Sequence, residues 1–288
     1  MSTAGGPTVR RRRLAAELRR LRDRAEMTLE QAAGQLGWSV TKMSRIETSR
    51  VGVSVKDLKL MFEVYELEDD RRAALLSLAR GAKARGWWDA YSDSLPSDYA
   101  SYIALESEAS VMRWYACQTP PGLLQTREYA QEIIRAGLMA LSPPAEVERR
   151  VDVRTTRQHL LTRDEDPRRL WTVLDEAALR RQVGSAEVMR GQYDRLLEFA
   201  DLPNVTIQVL PDSTGAHPAT AGTFAIMEFP EPHDPDVVYV ETFTGNLFIE
   251  SDAEVYRYAL AFDHLCAIAL NPEESRAFIA ARRAGQHP

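Results

Sequence analysis

Met27-Thr-Leu-Glu-Gln-Ala-Ala-Gly-Gln-Leu-Gly-Trp-Ser-Val-Thr-Lys-Met-Ser-Arg-Ile-Glu-Thr-Ser-Arg50 is the stretch on which the fold of the first third of this chain turns. Thr28 stands before Leu29 with Gln31 three residues on, a capping-box start. Leu29, Ala32, Ala33 and Leu36 then give one apolar stripe at helical spacing. Gly37 ends that helix, because glycine alone enters the left-handed conformation without a steric cost and lets the chain turn sharply. Ser39 follows as a new N-cap, and over Val40 to Thr48 the spacing turns Met43 and Ile46 inward. Val40, Thr41, Lys42, Ser44 and Arg45 are left pointing elsewhere.

Two short helices joined by a tight glycine turn, the second presenting polar residues from its first turn, fit a helix-turn-helix that lays its second helix in the major groove. Four positions must agree. Ala33 is small enough for a close crossing, Gly37 makes the turn, and Met43 and Ile46 anchor the second helix on the first. The plainer alternative, any helical hairpin with a glycine turn, explains Gly37 but neither the exposed Thr41, Lys42 and Arg45 nor the helix that precedes them. From Arg10 to Glu26, Leu14, Leu18 and Leu21 recur at helical spacing and eight arginines fill much of what remains. Arg10, Arg11, Arg12 and Arg13 lie along the DNA backbone, reach the minor groove as a basic arm, or are simply a solvated terminus; the sequence leaves these open.

Charge separates the chain into two parts. Residues 1 to 86 carry 18 Lys+Arg against 11 Asp+Glu, whereas the remainder carries 18 against 31. A basic segment on an acidic body suits a nucleic-acid-binding module joined to a part that must not itself adhere to phosphate. The length of 288 residues predicts two folded units. No run approaches the ~20 apolar residues of a membrane helix, no apolar segment follows Met1 to Arg13 as a secretory signal would require, and a cytoplasmic location is expected. Cys117 and Cys266 are too few for a disulfide framework or zinc site and read as small core residues.

The quoted stretch resembles the Xre/Cro-type helix-turn-helix family of phage repressors and bacterial regulators, through the Thr28 cap, Ala33, Gly37 and the Ser44-Arg-Ile-Glu47 ending. The resemblance implies a five-helix bundle, completed by helices from Ser54 to about Tyr65 and Asp69 to about Ala84, that binds operator DNA, usually as a dimer. Two positions depart from it: Leu29 replaces a frequent phosphate-touching glutamine, and Val40 a frequent polar base reader. Base reading then leans on Thr41, Lys42 and Arg45, with Val40 on a thymine methyl. Ser39, Ser44 and Arg50 complete the expected contacts to double-stranded DNA. Thr28, Ala33, Gly37, Met43 and Ile46 are expected to hold the motif's shape, with Glu47 as the structural partner of an arginine from the first helix.

Beyond Gly86 the composition changes. Trp87, Trp88, Tyr91, Tyr99, Tyr102, Trp114 and Tyr115 are seven of the chain's 23 aromatic residues. Core packing is their default reading, and contact with a ligand or partner protein the functional one. Ile103 to Tyr115, Leu123 to Gly137, Pro144 to about Thr162, Ser185 to Ala200, Asp252 to about Leu270 and Pro272 to Arg283 read as helices. Arg169 to Leu174 and Val205 to Leu210 read as strands flanking a helix, and Thr223 to Phe229, Val237 to Glu241 and Asn246 to Ile249 as an antiparallel meander with a hairpin turn at Thr244-Gly245 or Gly245-Asn246. The histidines lack metal-ligand spacing, and no phosphate loop, nucleophile elbow or paired-carboxylate motif is present. No cofactor, metal or enzymatic activity is expected.

Trp87-Trp88, Tyr102-Ile-Ala-Leu-Glu106, Pro120-Pro-Gly-Leu-Leu-Gln-Thr126, Tyr129-Ala130 and Asn204-Val-Thr-Ile-Gln-Val-Leu-Pro211 resemble the C-terminal domain (DUF5753) of a large actinobacterial regulator family described as antitoxin-like. That resemblance implies transcriptional regulation, often beside a gene for a small partner protein. The resulting expectation is a multidomain chain: residues 1–9 disordered, an all-α five-helix helix-turn-helix domain over 10–84, and an α+β domain with a small mixed sheet over 87–283. The second domain is expected to mediate homodimerisation, to hold a small protein encoded nearby, or to receive an unknown small-molecule effector.

Overall fold

The computed structural model describes residues 9–81, 97–230, 236–243 and 245–285. They fall into two compact units, divided at Leu105/Glu106. The disorder expected over 1–9 lies, Val9 apart, outside the described residues, as do Trp87, Trp88 and Tyr91.

Five helices build the N-terminal region: α1 (Val9–Arg24), α2 (Leu29–Leu36), α3 (Val40–Glu47), α4 (Val55–Val64) and α5 (Asp69–Gly81). Leu14, Leu18 and Leu21 of α1 are buried with Ala32, Ala33, Met43, Ile46, Leu58, Met61, Phe62 and Leu75 in one core. Helix α1 packs on α3 and α5, and α2 on α3 and α4. Each of α2, α3 and α4 starts at a side-chain cap, Thr28, Ser39 and Ser54. Helices of eight to ten residues are marginal alone. Their caps satisfy orphan N–H groups at about 1 kcal/mol each, and the shared core supplies the rest.

Helix α6 (Ser97–Glu108) spans the division between units, and β1 (Val111–Ala116) follows it. The single helix expected from Ile103 to Tyr115 is therefore corrected. It ends at Glu108, and Val111–Ala116 is a strand paired with neighbours on both sides. Its residues tolerate either state, and ladder formation decides between them.

The second unit continues with α7 (Arg127–Gly137), α8 (Pro144–Arg157), α9 (His159–Thr162), β2 (Arg169–Asp175), α10 (Glu176–Arg180), α11 (Ala186–Ala200), β3 (Val205–Leu210), β4 (Phe224–Glu228), β5 (Val237–Thr242), β6 (Gly245–Ile249), α12 (Asp252–Ile268) and α13 (Pro272–Arg283). The strands form one mixed sheet in the order β3-β2-β1-β4-β5-β6, six strands where a small sheet was expected. β1, β2 and β3 are parallel; β4, β5 and β6 make the antiparallel meander. Thr242 pairs with Gly245, so Gly245 lies inside β6 and not in the hairpin turn. Helix α12 crosses the sheet over β1, β3, β4 and β5, burying Phe262 and Leu265 against Tyr115, Val173, Ile226 and Val238. On the other side of the chain's path, Glu106 and Arg157 form a fully buried bidentate pair with both contacts at 2.5 Å.

Candidate nucleic-acid interface

The geometry of the α2–turn–α3 unit follows from a handful of local bonds. Thr28 accepts from the Gln31 N–H while the Gln31 side chain accepts from the Thr28 N–H, closing the capping box. Gly37 sits at φ 66°, and the N–H of Trp38 donates to the Ala33 carbonyl at 2.8 Å. No atom lies within 4 Å of a Cβ built on Gly37, so conformation alone, not space, requires glycine there. Ser39 then accepts from the Lys42 N–H and starts α3. Met43 and Ile46 are buried, and Val40, Thr41 and Arg45 are exposed on the opposite face, with Val40 40% accessible. An apolar Val40 among exposed polar neighbours is suited to a thymine methyl.

Beneath α3, Arg22 of α1 donates through Nε and Nη2 to the two carboxylate oxygens of Glu47, at 2.8 and 2.9 Å, and through Nη1 to the Met27 carbonyl at 2.8 Å. The pair is buried and fixes the C-terminal end of α3 to α1 and to the loop before α2. Hydrogen bonding to Glu47 raises the Arg22 pKa above its ordinary value. Burial, with the Glu47 charge beside it, likewise raises the Tyr65 phenol. Glu47 is thus turned away from any base.

The exposed candidates differ in how free they are. Arg45 and Arg50 are exposed, and neither has a hydrogen-bond or ion-pair partner among the described residues. Lys42 is engaged: its Nζ lies 3.8 Å from the Trp38 ring centroid and 3.0 Å from Asp57 Oδ1. This tie makes Lys42 a brace between α3 and the first turn of α4, and any base contact must compete with it. Ser44 is half-buried and its carbonyl accepts from the Thr48 hydroxyl at 2.7 Å.

The basic run at the N-terminus takes a form that differs from an extended arm. Arg10, Arg11, Arg12 and Arg13 belong to the first turns of α1. Arg11 Nε lies 3.9 Å from the position of a Gly52 Cβ, against the loop after α3, and Arg11 and Arg12 are half-buried. Burial lowers both guanidinium pKa values, that of Arg12 to about 10, which still leaves it charged at neutral pH. One candidate escaped the sequence reading. Asp57 holds Lys42, so the first turn of α4 borders the same face, and Lys56 there is exposed with no partner among the described residues. The Ser54 cap three residues before Asp57 was the available signal.

The aromatic segment does not provide an open surface among its described residues. Tyr102, Trp114 and Tyr115 are buried, and Tyr99 stacks on Tyr102 with centroids 6.0 Å apart. Trp114 lies edge-on to Tyr239, and Tyr115 donates to Asp175 at 3.0 Å. Tyr102, Trp114 and Tyr115 thus have a packing role in this fold, while Tyr99 is half-buried.

Residues 13–75 match a family model described as a helix-turn-helix domain, and residues 99–281 match one described as a domain of unknown function (DUF5753). Neither the curated proteins nor the solved structures include a match to the chain. Among the described residues, no helix is long and apolar enough to cross a membrane and no cluster of ligating side chains can hold a metal ion.

Proposed function

Because the chain belongs to the DUF5753 family and carries a helix-turn-helix domain ahead of that region, we propose that it is a sequence-specific transcriptional regulator that binds operator DNA as a dimer. The helix-turn-helix domain supports a DNA-binding regulator and points away from an enzyme. The single observation that carries the finer reading is the exposed face of α3. Thr41 and Arg45 project from a helix whose other face is locked by Met43, Ile46 and the Arg22–Glu47 pair. Arg45 reads a base edge, Thr41 and Val40 flank it, and Arg50 and Lys56 meet phosphates.

One such unit buries too little surface for tight specific binding, so two copies are needed on half-sites a helical turn, ~34 Å, or a multiple apart. The C-terminal domain supplies the dimer contact in this reading. β6 is an edge strand, and Phe243 and Leu247 on its hairpin, with Tyr256 and Leu260 on α12, are large apolar side chains left exposed. These exposed side chains serve the second reading as well, an antitoxin-like complex with a small protein partner. Sedimentation of the purified chain separates them: a homodimer supports the first, and a monomer that dimerises with nothing but an added partner supports the second.

The decisive experiment is selection of binding sites from random duplexes, followed by Arg45→Ala. Loss of about 1 to 3 kcal/mol and relaxed preference at one base pair are expected. Equal preference in both proteins would remove Arg45 from the base-reading set.

A further inference from the structure

A pocket of about 250 Å³ opens in the second unit between the loop before β4, the start of β4, Val240 of β5 and the middle of α12. It lies just below the ~300–1,000 Å³ range of sites for drug-sized ligands, which suits a smaller molecule. Pro218, Phe224, Val240 and Tyr258 give it apolar walls. The Phe224 and Tyr258 rings meet edge to face, 4.9 Å apart, and both line the pocket, which gives an aromatic ring two partners of the kind it packs on.

The wall is held in place by a polar chain behind it. The Ala219 N–H donates to His217 Nδ1 at 3.3 Å, which leaves the His217 proton on Nε2, 3.4 Å from the Tyr115 hydroxyl. Tyr115 donates in turn to Asp175 Oδ2, while Asp175 Oδ1 accepts from the Ala177 N–H at 2.9 Å. Thr223 Oγ1 accepts from the Cys117 N–H at 3.1 Å, and Gly222 adopts φ 139°, which side-chain-bearing residues rarely adopt. The concavity is therefore built into the fold before any ligand arrives.

Charge distinguishes the mouth from the walls. Arg257 is exposed at the pocket and has no hydrogen-bond or ion-pair partner among the described residues. Arg113, by contrast, is paired with both Glu228 and Asp263. The Tyr258 hydroxyl at the same pocket also has no described partner. We propose that this pocket binds a small aromatic carboxylic acid, its ring against Phe224 and Tyr258 and its carboxylate on the Arg257 guanidinium, with the Tyr258 hydroxyl as a further donor. A guanidinium and a carboxylate form a bidentate, charge-assisted pair, and an apolar wall beside it excludes ions without an apolar body. As the input of a DNA-binding regulator the site rests on the function proposed above; the binding itself does not.

The test uses the full chain without DNA, so that failure of the pocket and failure of the DNA-binding reading remain separate. Phenylacetate, indole-3-acetate and phenylacetamide are titrated by calorimetry at millimolar concentrations against the wild type, Arg257→Gln and Ala261→Phe, with folding checked by circular dichroism. Arg257→Gln alters an exposed, unpaired side chain, whereas Ala261→Phe fills the pocket from α12. The acids are expected to bind the wild type at least about tenfold more tightly than the amide, a preference erased by Arg257→Gln. Ala261→Phe is expected to abolish binding. Equal binding of acid and amide, unchanged affinity in Arg257→Gln, or no binding of either acid overturns the proposal. Operator affinity measured with and without the tighter acid then reports whether the site is coupled to DNA.

Discussion

Glu47→Ala removes the carboxylate that holds α3 to α1, and its cost follows from what Arg22 keeps. The Arg22 and Glu47 side chains are 9% and 4% exposed, so the pair is nearly dry. After the substitution the guanidinium retains only the Met27 carbonyl and the Asp23 carboxylate, which stands 2.8 Å away and is itself 56% exposed. Removing one partner of a buried ion pair costs ~3–5 kcal/mol, and the surviving Asp23 contact places the loss near the lower end, at about 3 kcal/mol. Glu47→Gln keeps one acceptor but turns an amide N–H₂ toward a second donor, for roughly half that loss. Arg22→Met with Glu47→Leu leaves no charge buried and is expected to recover most of the stability, short of the ~1 kcal/mol hydrogen bond to Met27. Hydrogen exchange on peptides from α2 and α3 of the full chain reads this locally. A loss of about 3 kcal/mol accelerates exchange through opening roughly 150-fold. The reasoning is refuted if Glu47→Ala costs under about 1 kcal/mol, or if the double variant is as damaged as the single one, since the loss would then come from packing rather than from an orphaned charge.

Three further outcomes are expected. Gly37→Ala keeps its surroundings clear but forces φ 66° on a residue with a Cβ, so urea unfolding of the bundle should shift by about 1–2 kcal/mol with no change in operator preference once folded. Lys56→Ala should lower affinity for all duplexes alike and reduce the salt slope by about one unit, measured by fluorescence anisotropy over a range of salt; a change in base preference instead would make Lys56 a base reader. Burial, helped by the charge of Asp263, pushes the Cys266 thiol up to about 12. At pH 8 its alkylation by iodoacetamide, followed by peptide mass spectrometry, should therefore be on the order of 1,000-fold slower than that of a free thiol; labelling at the rate of free cysteine would contradict that environment.

How much of this was legible depends on where the deciding contacts lie. The α2–turn–α3 unit is specified by neighbours within four residues. Thr28 finds Gln31, Gly37 turns the chain, and Ser39 finds the Lys42 N–H, so each signal and its partner sit in the same window of sequence. The meander and the β2–α11–β3 unit were legible for a similar reason, as β-branched runs bounded by turn residues. β1 was not. Its burial alternates only over its first four residues, and its partners lie in β2 and β4, far along the chain, so little inside Val111–Ala116 distinguishes it from a continuation of α6. Exposure within the first unit was legible only in part. Helical spacing put Lys42 outward, yet it does not reveal that Trp38 and Asp57 hold its ammonium.

The aromatic segment illustrates the same limit. Composition singled out a dense cluster ending at Tyr115, yet of its described members only Trp114 and Tyr115 belong to β1, with Tyr115 in the core under α12, while Tyr99 and Tyr102 stack in α6. A central strand covered on both faces gathers apolar and aromatic residues, and the one charge in β1, Arg113, is neutralised by Glu228 and Asp263. The open site lies next to that strand, assembled from Pro218, Phe224, Val240, Arg257 and Tyr258, which are dispersed in sequence and individually ordinary. What joins the two is Tyr115 itself. Its ring packs 6.0 Å from Phe224, and its hydroxyl bonds Asp175 and meets His217, so the residue that composition marked as a contact acts from beneath, by fixing the loop that forms the wall. Tyr115→Phe keeps the ring and removes the hydroxyl. If the wall depends on that bond, acid binding weakens while the fold remains, a separation that a purely packing role for Tyr115 would not produce.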